Sequence, residues 1–313
     1  MNPYIEKQDI CIFSYNSRGF SMEKQYICSK ILNHIHGTLP ILCNQENFLL
    51  RNNKYKIKQA LPGYHIIFKP AVKDNLEGRP RNGMFIAVPD VIKDHISDVS
   101  PIHWRIQANV LRSKEKTLLI INTYFPQDSK STEYKDNELE EVLADIRTIL
   151  SKNQFDDVIW AGDINVDFIR NSTHVQSLND YIAEHNFAKS WDIYPVDFTH
   201  EHTVNDETHV STIDHFFWNS RLSNDIIEAG VLHLVENTSD HHPIFCLFKF
   251  DTCINSGTSE VEKSSNPSWK RETVDQHQNF VHELDLKLKT VLDILECSDV
   301  HCSNVHDKYF GDN

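Results

Sequence analysis

No apolar run in this 313-residue sequence approaches the roughly 20 residues that a helix needs to cross a bilayer. The first residues, MNPYIEKQDICIF, carry charge where a signal peptide needs an apolar stretch. An intracellular protein without a membrane partner is therefore expected. Internal repeats and low-complexity tracts are also absent, which argues against a solenoid. A disulfide framework is equally unexpected. The seven cysteines, Cys11, Cys28, Cys43, Cys246, Cys253, Cys297 and Cys302, are odd in number and sit mostly in apolar runs, as reduced thiols do. What is present is 40% hydrophobic and 24% charged residues, the balance of a soluble globular chain with a sizeable core.

A net charge of -14 speaks at first against a polyanionic partner. The average hides an asymmetry. Residues 1–130 hold 18 Lys and Arg against 11 Asp and Glu, residues 131–250 hold 7 against 22, and residues 251–313 hold 6 against 12. Any phosphate-binding face should draw on the first half. Its densest basic stretches are RNNKYKIK at 51–58 and KPAVKDNLEGRPR at 69–81, where Arg79 and Arg81 lie; a solvated loop would explain either stretch equally well.

Strand-like runs recur before residue 250, at 10–16, 39–45, 64–69, 84–89, 103–111, 117–125, 157–163, 212–218 and 243–250. Helices are fewer. Between 138 and 152, Leu139, Val142, Leu143, Ile146, Ile149 and Leu150 share one face, and 23–32 and 178–187 read as shorter amphipathic helices. Many strands with few helices predict an α/β domain of two layered sheets over residues 1–250. From 251 to 271 the apolar runs stop and Ser, Thr, Asn and Gly accumulate, as in a linker. A helical tail over 272–313 follows, with Phe280, Val281, Leu284, Leu288, Val291, Leu292 and Leu295 in one stripe.

The run DVIWAGD at 157–163 ends in WAGDINVDF, placing Asp163 and Asn165 at the mouth of a buried strand, where Gly162 lets the chain turn. An Asx turn would account for an isolated GDxN. Other strand ends are polar too: Asn16 after ICIFSY, Gln45 and Glu46 after LPILCN, Tyr124 after IINT, Asp214 within STID, and Asp240 and His241 before the last strand. Each allows a plain structural role. Together, carboxylates, amides, a phenol and a histidine at successive strand ends describe a metal and phosphate site.

These motifs resemble the endonuclease/exonuclease/phosphatase superfamily, with the fold of DNase I and exonuclease III. The resemblance rests on NxxG at Asn16 to Gly19, QE at Gln45-Glu46, the Tyr124 strand end, GDxN at Gly162 to Asn165, SxID at Ser211 to Asp214 and SDHxP at Ser239 to Pro243, in that order over about 240 residues. GRPRNGMFIAV at 78–88, DFTHEHTVNDETHVSTIDHFF at 197–217 and the trailing CSDVHCSNVH at 297–306 are closest to the apurinic-type endonuclease domain of non-LTR (LINE) retrotransposon polyproteins. That resemblance implies a DNase I-like four-layer sandwich, two packed mixed β-sheets flanked by helices, with the 272–313 tail similar to the region before a reverse transcriptase. It also implies a Mg²⁺-dependent endonuclease, with Mn²⁺ as a substitute ion, that nicks DNA to leave a 3′-hydroxyl. DNA is the expected partner, retroelement RNA a further candidate, and the nucleus the expected location.

The chemistry assigns roles. Phosphodiester hydrolysis needs charge neutralised on the phosphate, a nucleophile made from water and a stabilised leaving alkoxide. Glu46 is the first choice of ligand for Mg²⁺, a hard cation that needs only one or two carboxylates, with Asp240 and Asn16 completing its surroundings. Asp163 is the base or water-orienting carboxylate, and Asn165 an uncharged donor to phosphate. His241, held in one tautomer by Asp214, and the phenol of Tyr124 donate to the phosphoryl oxygens. Arg79, Arg81, Thr199 and Ser239 are the expected substrate contacts.

Two departures stand out. Arg18 occupies the place where repair enzymes of this type carry a metal-binding Asp, and Asn82 replaces the first of two paired glycines in the retrotransposon pattern. His200, His202, His209 and His215 have no accompanying thiolate or ligand spacing that argues for zinc; Cys297, His301, Cys302 and His306 are the better zinc candidates, although CxxxHCxxxH matches no finger. A phosphoesterase acting on RNA or small phosphate esters, and a non-catalytic binding module, remain alternatives.

Overall fold

The computed structural model describes residues 9–73, 78–127 and 133–250. The expected linker at 251–271, the helical tail at 272–313 and the Cys297, His301, Cys302 and His306 cluster lie outside the described residues.

In chain order the strands are β1 (Ile10–Asn16), β2 (Leu39–Gln45), β3 (Tyr64–Lys69), β4 (Met84–Pro89), β5 (Ile96–Asp98), β6 (Ile106–Arg112), β7 (Thr117–Tyr124), β8 (Asp157–Asp163), β9 (Phe187–Lys189), β10 (His200–Val204), β11 (Glu207–Ser211), β12 (Asp214–Asn219), β13 (Ile226–Val231) and β14 (Ile244–Phe248). The helices are α1 (Met22–Leu32), α2 (Lys54–Ala60), α3 (Glu133–Lys152), α4 (Thr173–Glu184) and α5 (Ser190–Ile193). One six-stranded sheet runs β13-β14-β1-β2-β4-β3, the other β5-β6-β7-β8-β12-β9, and β10-β11 form a separate hairpin. Each large sheet is mixed, with a parallel pair at its centre: β1 with β2, and β7 with β8.

Alternation of side chains along the strands builds the layers. Ile10 and Ile12, Ile41 and Cys43, Ile120, Ile159 and Ala161, and Phe216 and Trp218 face inward and fill the space between the sheets. Their neighbours face outward. Phe13, Leu42 and Phe85 pack with Ile27 and Ile31 of α1 and Ile57 of α2. On the far side Leu119, Ile121, Val158 and Trp160 pack with Leu139, Val142 and Ile146 of α3 and Leu178 and Ile182 of α4. The result is the four-layer sandwich that the resemblance implied, and the four described cysteines, Cys11, Cys28, Cys43 and Cys246, are buried thiols within it. No helix among the described residues is long and apolar enough to cross a membrane.

The same parity delivers polar residues to one end of the sandwich. Asn16 follows Ile10 and Ile12 on the inner face of β1, Gln45 follows Ile41 and Cys43, Asn122 follows Ile120, and Asp163 follows Ile159 and Ala161. Deep in this end the Gln45 amide donates to Ser14 Oγ at 3.0 Å and Asn122 Oδ1 at 2.6 Å, stitching the two sheets together where apolar packing stops.

Several expectations are corrected. The fifth expected strand begins at Ile106 rather than residue 103, and the helix expected at 178–187 runs from Thr173 to Glu184, because Ser172 caps it by accepting the Val175 N–H at 3.2 Å. Residues 200–211, outside the expected strand runs, form the β10–β11 hairpin. Gly162 does not end the strand: it lies inside β8 with φ 153°, paired with Thr123 and His215, and the chain turns past the strand at Asn165, with φ 55°. Glycine is needed at 162 because a Cβ there would run into the Thr123 carbonyl of β7. Gly162→Ala should therefore cost about 3 kcal/mol of stability, measured as a lower urea midpoint at unchanged slope.

Candidate active site

The ends of the two parallel pairs meet across the sandwich. Asn16 is in register with Gln45, Tyr124 with Asp163, and Asp163 with Asp214. The Asn16 amide nitrogen donates to Glu46 Oε2 at 3.0 Å and to Asp163 Oδ2 at 2.8 Å, joining a carboxylate from each side. Glu46 sits just beyond β2 in a left-handed conformation, φ 51°, which turns it out of the strand.

His241 lies between two carboxylates. Its Nδ1 is 2.9 Å from Asp214 Oδ2, and its Nε2 faces Asp163 Oδ2 at 3.8 Å. Asp163, Asp214 and His241 are only 1%, 2% and 5% exposed. Burial pushes the Asp163 carboxyl up to about 7, with Asp214 adding to the rise and His241 opposing it. Burial alone would favour a neutral His241, but Asp214 and Asp163 outweigh it and raise the imidazole to about 9. A protonated His241 thus donates Nδ1–H to Asp214 and keeps Nε2–H for the opposite side.

Asn165 settles the choice between turn and site by being both. Its N–H donates to Asp163 Oδ1 at 3.0 Å, an Asx turn, while its side-chain amide donates to the Phe125 carbonyl at 2.9 Å and lines the cleft. Tyr124 also lines the cleft; burial, Glu46 and Asp163 raise its pKa, so the phenol stays a donor.

The cleft, ≈ 910 Å³, has Glu46, Asp163 and His241 on its floor and Arg18, Arg79, Arg81, Trp104, Arg105 and Arg170 around them. Arg79 and Arg81 are where a phosphate contact was expected; the other basic stretch, 51–58, does not line the cleft and instead contributes most of α2. The Arg79 guanidinium lies 3.7 Å over the Phe48 ring and donates to the Arg18 carbonyl at 3.0 Å. Asn82, with φ 66°, takes the left-handed turn that a glycine would otherwise supply.

Trp104 and Arg105 were missed. Read as the opening of a strand, they instead form a turn whose guanidinium stacks 3.9 Å over Trp104, is 5.1 Å from the centre of the Tyr124 ring, and pairs with Glu138 at 2.8 Å. No spacing rule points to such a residue; its partners are 19 and 33 positions away.

Three expected site residues are placed differently. Thr199 is wholly buried, and its hydroxyl accepts the Ile213 and Asp214 N–H groups at 3.0 Å each, so it positions Asp214 rather than facing the cleft. Ser239 donates to the Asn16 carbonyl at 2.8 Å and accepts the His241 N–H, tying two site segments together. Asp240 forms an ion pair with Arg18 through Oδ2, and its buried Oδ1 has no hydrogen-bond partner. Arg18, standing where a metal-binding Asp was the comparison, is a counter-ion.

Acidic and histidine groups able to hold a divalent cation converge here. Ligand atoms of Asp163, Asp214 and His241 lie within 4.8 Å of one another, as do those of His200, Asp240 and His241. With Glu46 and Asn16 alongside, the site is rich in oxygen donors, and Asp240, next to His241 in the chain, keeps one buried carboxylate oxygen unpaired, a donor set that fits a hard divalent cation.

No protein-family model matches the chain, and no curated protein matches it in sequence. Solved structures do. The AP endonuclease LMAP from Leishmania major superposes with TM-score 0.62 at 14% identity, over 78% of this chain and 88% of that one. The fold is that of the DNase I-like superfamily. The 3′ phosphatase NExo from Neisseria, bound to a product DNA hairpin, matches with TM-score 0.60 at 16% identity, over 77% and 99% of the two chains. The endonuclease domain of TRAS1, a telomere-specific non-LTR retrotransposon, matches with TM-score 0.55 at 14% identity, over 77% and 99%.

In this DNase I-like framework Asp214 reaches the cleft only through His241. Asp214→Asn, His241→Ala and the double variant should lose similar amounts of activity, about a hundredfold or more each, instead of multiplying. Initial rates of plasmid nicking test this; a double variant equal to the product of the singles would show independent roles.

Proposed function

We propose that this chain is a divalent-cation-dependent endonuclease that nicks DNA, breaking the P–O3′ bond to leave a 3′-hydroxyl and a 5′-phosphate. The observation that carries the reading is that Glu46, Asp163 and His241 form the floor of an open, arginine-rimmed cleft while Asn16 joins the two carboxylates and Asp214 holds the imidazole from behind. A binding module has no need to bury Asp163 and His241 on the floor of an open cleft with Asp214 behind them. An open cleft with guanidinium groups on its rim suits a polymer of phosphates better than a small ester.

Asp163 orients the attacking water and takes its proton, a role for which a carboxyl raised to about 7 is suited. His241, held by Asp214, donates from Nε2 to the phosphoryl oxygen as charge builds there. Tyr124 and Asn165 are neutral donors to the same phosphate. Mg²⁺, with Mn²⁺ as a substitute, is the proposed ion; Glu46 would be its principal carboxylate, with Asn16 and Asp240 beside it, and it would neutralise phosphate charge. Arg79 and Arg81 hold the flanking backbone, and Arg105 presents a stacked guanidinium beside them.

Similarity to proteins described as AP endonucleases, to one bound to a DNA hairpin and to a retrotransposon endonuclease domain supports a nucleic-acid substrate. With the sequence motifs, it supports an origin in a non-LTR retroelement and a nuclear site of action.

Supercoiled plasmid is the direct test. Wild type should convert it to open circles in Mg²⁺ and stop in excess EDTA, and Glu46→Gln should lower the rate about a hundredfold or more. Phosphate release from short 3′-phosphorylated strands without nicking would instead identify a phosphoesterase. Replacing Arg79 and Arg81 with Ala should flatten the log-log salt dependence of duplex binding by about one unit per lost phosphate contact. An unchanged slope would place the DNA elsewhere.

A further inference from the structure

Behind the catalytic histidine, on the far side of the 240–243 segment, a second polar cluster takes no part in the cleft. His242 Nδ1 lies 3.2 Å from His233 Nδ1. Each imidazole turns its other nitrogen to a carboxylate: His233 Nε2 is 3.0 Å from Asp197 Oδ1, and His242 Nε2 is 3.3 Å from Glu201 Oε1. An ionised carboxylate can only accept, so both Nε2 atoms carry protons. With both Nε2 protons turned to carboxylates, the two Nδ1 atoms meet as acceptors across 3.2 Å between edge-on rings, a contact that a positive species joining them would relieve.

The spacing matches a metal. Two nitrogens bound at the usual zinc–imidazole distance around a tetrahedral ion stand about 3.3 Å apart, and a carboxylate on the remote N–H is the usual support of a metal-binding histidine. We propose that His233 and His242 are a binding site for one zinc-class divalent cation, oriented by Asp197 and Glu201, with water completing the coordination. The site is prebuilt. His242 N–H donates to the Thr199 carbonyl at 2.7 Å and Leu232 N–H to the Pro243 carbonyl at 2.7 Å, fixing the three segments against one another. The Phe198 ring, 4.9 Å from His233 and 5.4 Å from His242 between ring centres, walls one side. Two carboxylates beside neutral imidazoles give the site the negative charge a cation needs. A bound ion would clasp the 197–201 arm, from which the β10–β11 hairpin rises, to the residue next to His241. Imidazole ligands separate this site in kind from the oxygen-rich cleft floor.

Zinc binding to the full chain, read by competition with a chromophoric chelator in millimolar Mg²⁺, tests this. Wild type should bind one equivalent more than His233→Ala, and Asp197→Asn should bind that equivalent about tenfold to a hundredfold more weakly. Zinc held elsewhere, at the cleft or at Cys297, His301, Cys302 and His306, is common to all three proteins and cancels. Zinc should also raise the Tm of wild type more than that of His233→Ala. Both His233 and Asp197 are exposed, and matching Tm values without zinc show that the variants fold. Equal zinc stoichiometry and equal Tm shifts in wild type and His233→Ala would overturn the proposal and leave a proton shared between the two rings.

Discussion

Three ionisable side chains share a water-poor pocket at one end of the sandwich, and each charge is tolerable only because of the others. Asp214, His241 and Asp163 come from three separate strands or strand ends, and burial there disfavours an unpaired charge. The imidazole offsets two carboxylates, and the Thr199 hydroxyl and the Asn16 amide hold the flanking groups in place. Removing one partner exposes the rest to an uncompensated desolvation cost.

That constraint reaches into the core. Asn16 belongs to the first sheet and Asp163 to the second, so the hydrogen bond between them makes the site depend on how the sheets stack. Gln45 and Asn122 repeat the link one layer deeper. The packing of Ile12, Ile41, Ile159 and Phe216 between the sheets therefore sets the separation on which the geometry of the site rests.

Around this floor the rim follows different rules. Two of its arginines are held by stacking together with hydrogen bonds, Arg79 on Phe48 and to the Arg18 carbonyl, Arg105 on Trp104 and to Glu138 and the Tyr124 carbonyl. Such contacts keep the guanidinium groups in place while leaving N–H donors for phosphate. Arg18 spends its charge on Asp240, so the second carboxylate position beside Asn16 acts here as a counter-ion.

The sequence by itself determined which residues could stand at the strand ends. Buried strands inside a sheet read as unbroken apolar runs, and β1, β2, β4 and β8 fall where those runs lie. A polar residue at one strand end has a plain structural role open to it; it was the succession of Asn16, Glu46, Asp163, Asp214 and His241 at strand ends, in the order of a known superfamily's motifs, that made them candidates. Tertiary structure decided everything that depends on partners distant in the chain. The strands of the β10–β11 hairpin left no apolar run to read because they are polar and exposed, held by cross-strand pairing in place of burial. Thr199 and Ser239 turned from substrate contacts into supports because their hydrogen-bond partners arrive from other segments. The facing of His233 and His242 follows from the pairing of Leu232 with Pro243, and no local pattern records it. Periodicity is a property of one strand; the distance between two side chains is a property of the fold.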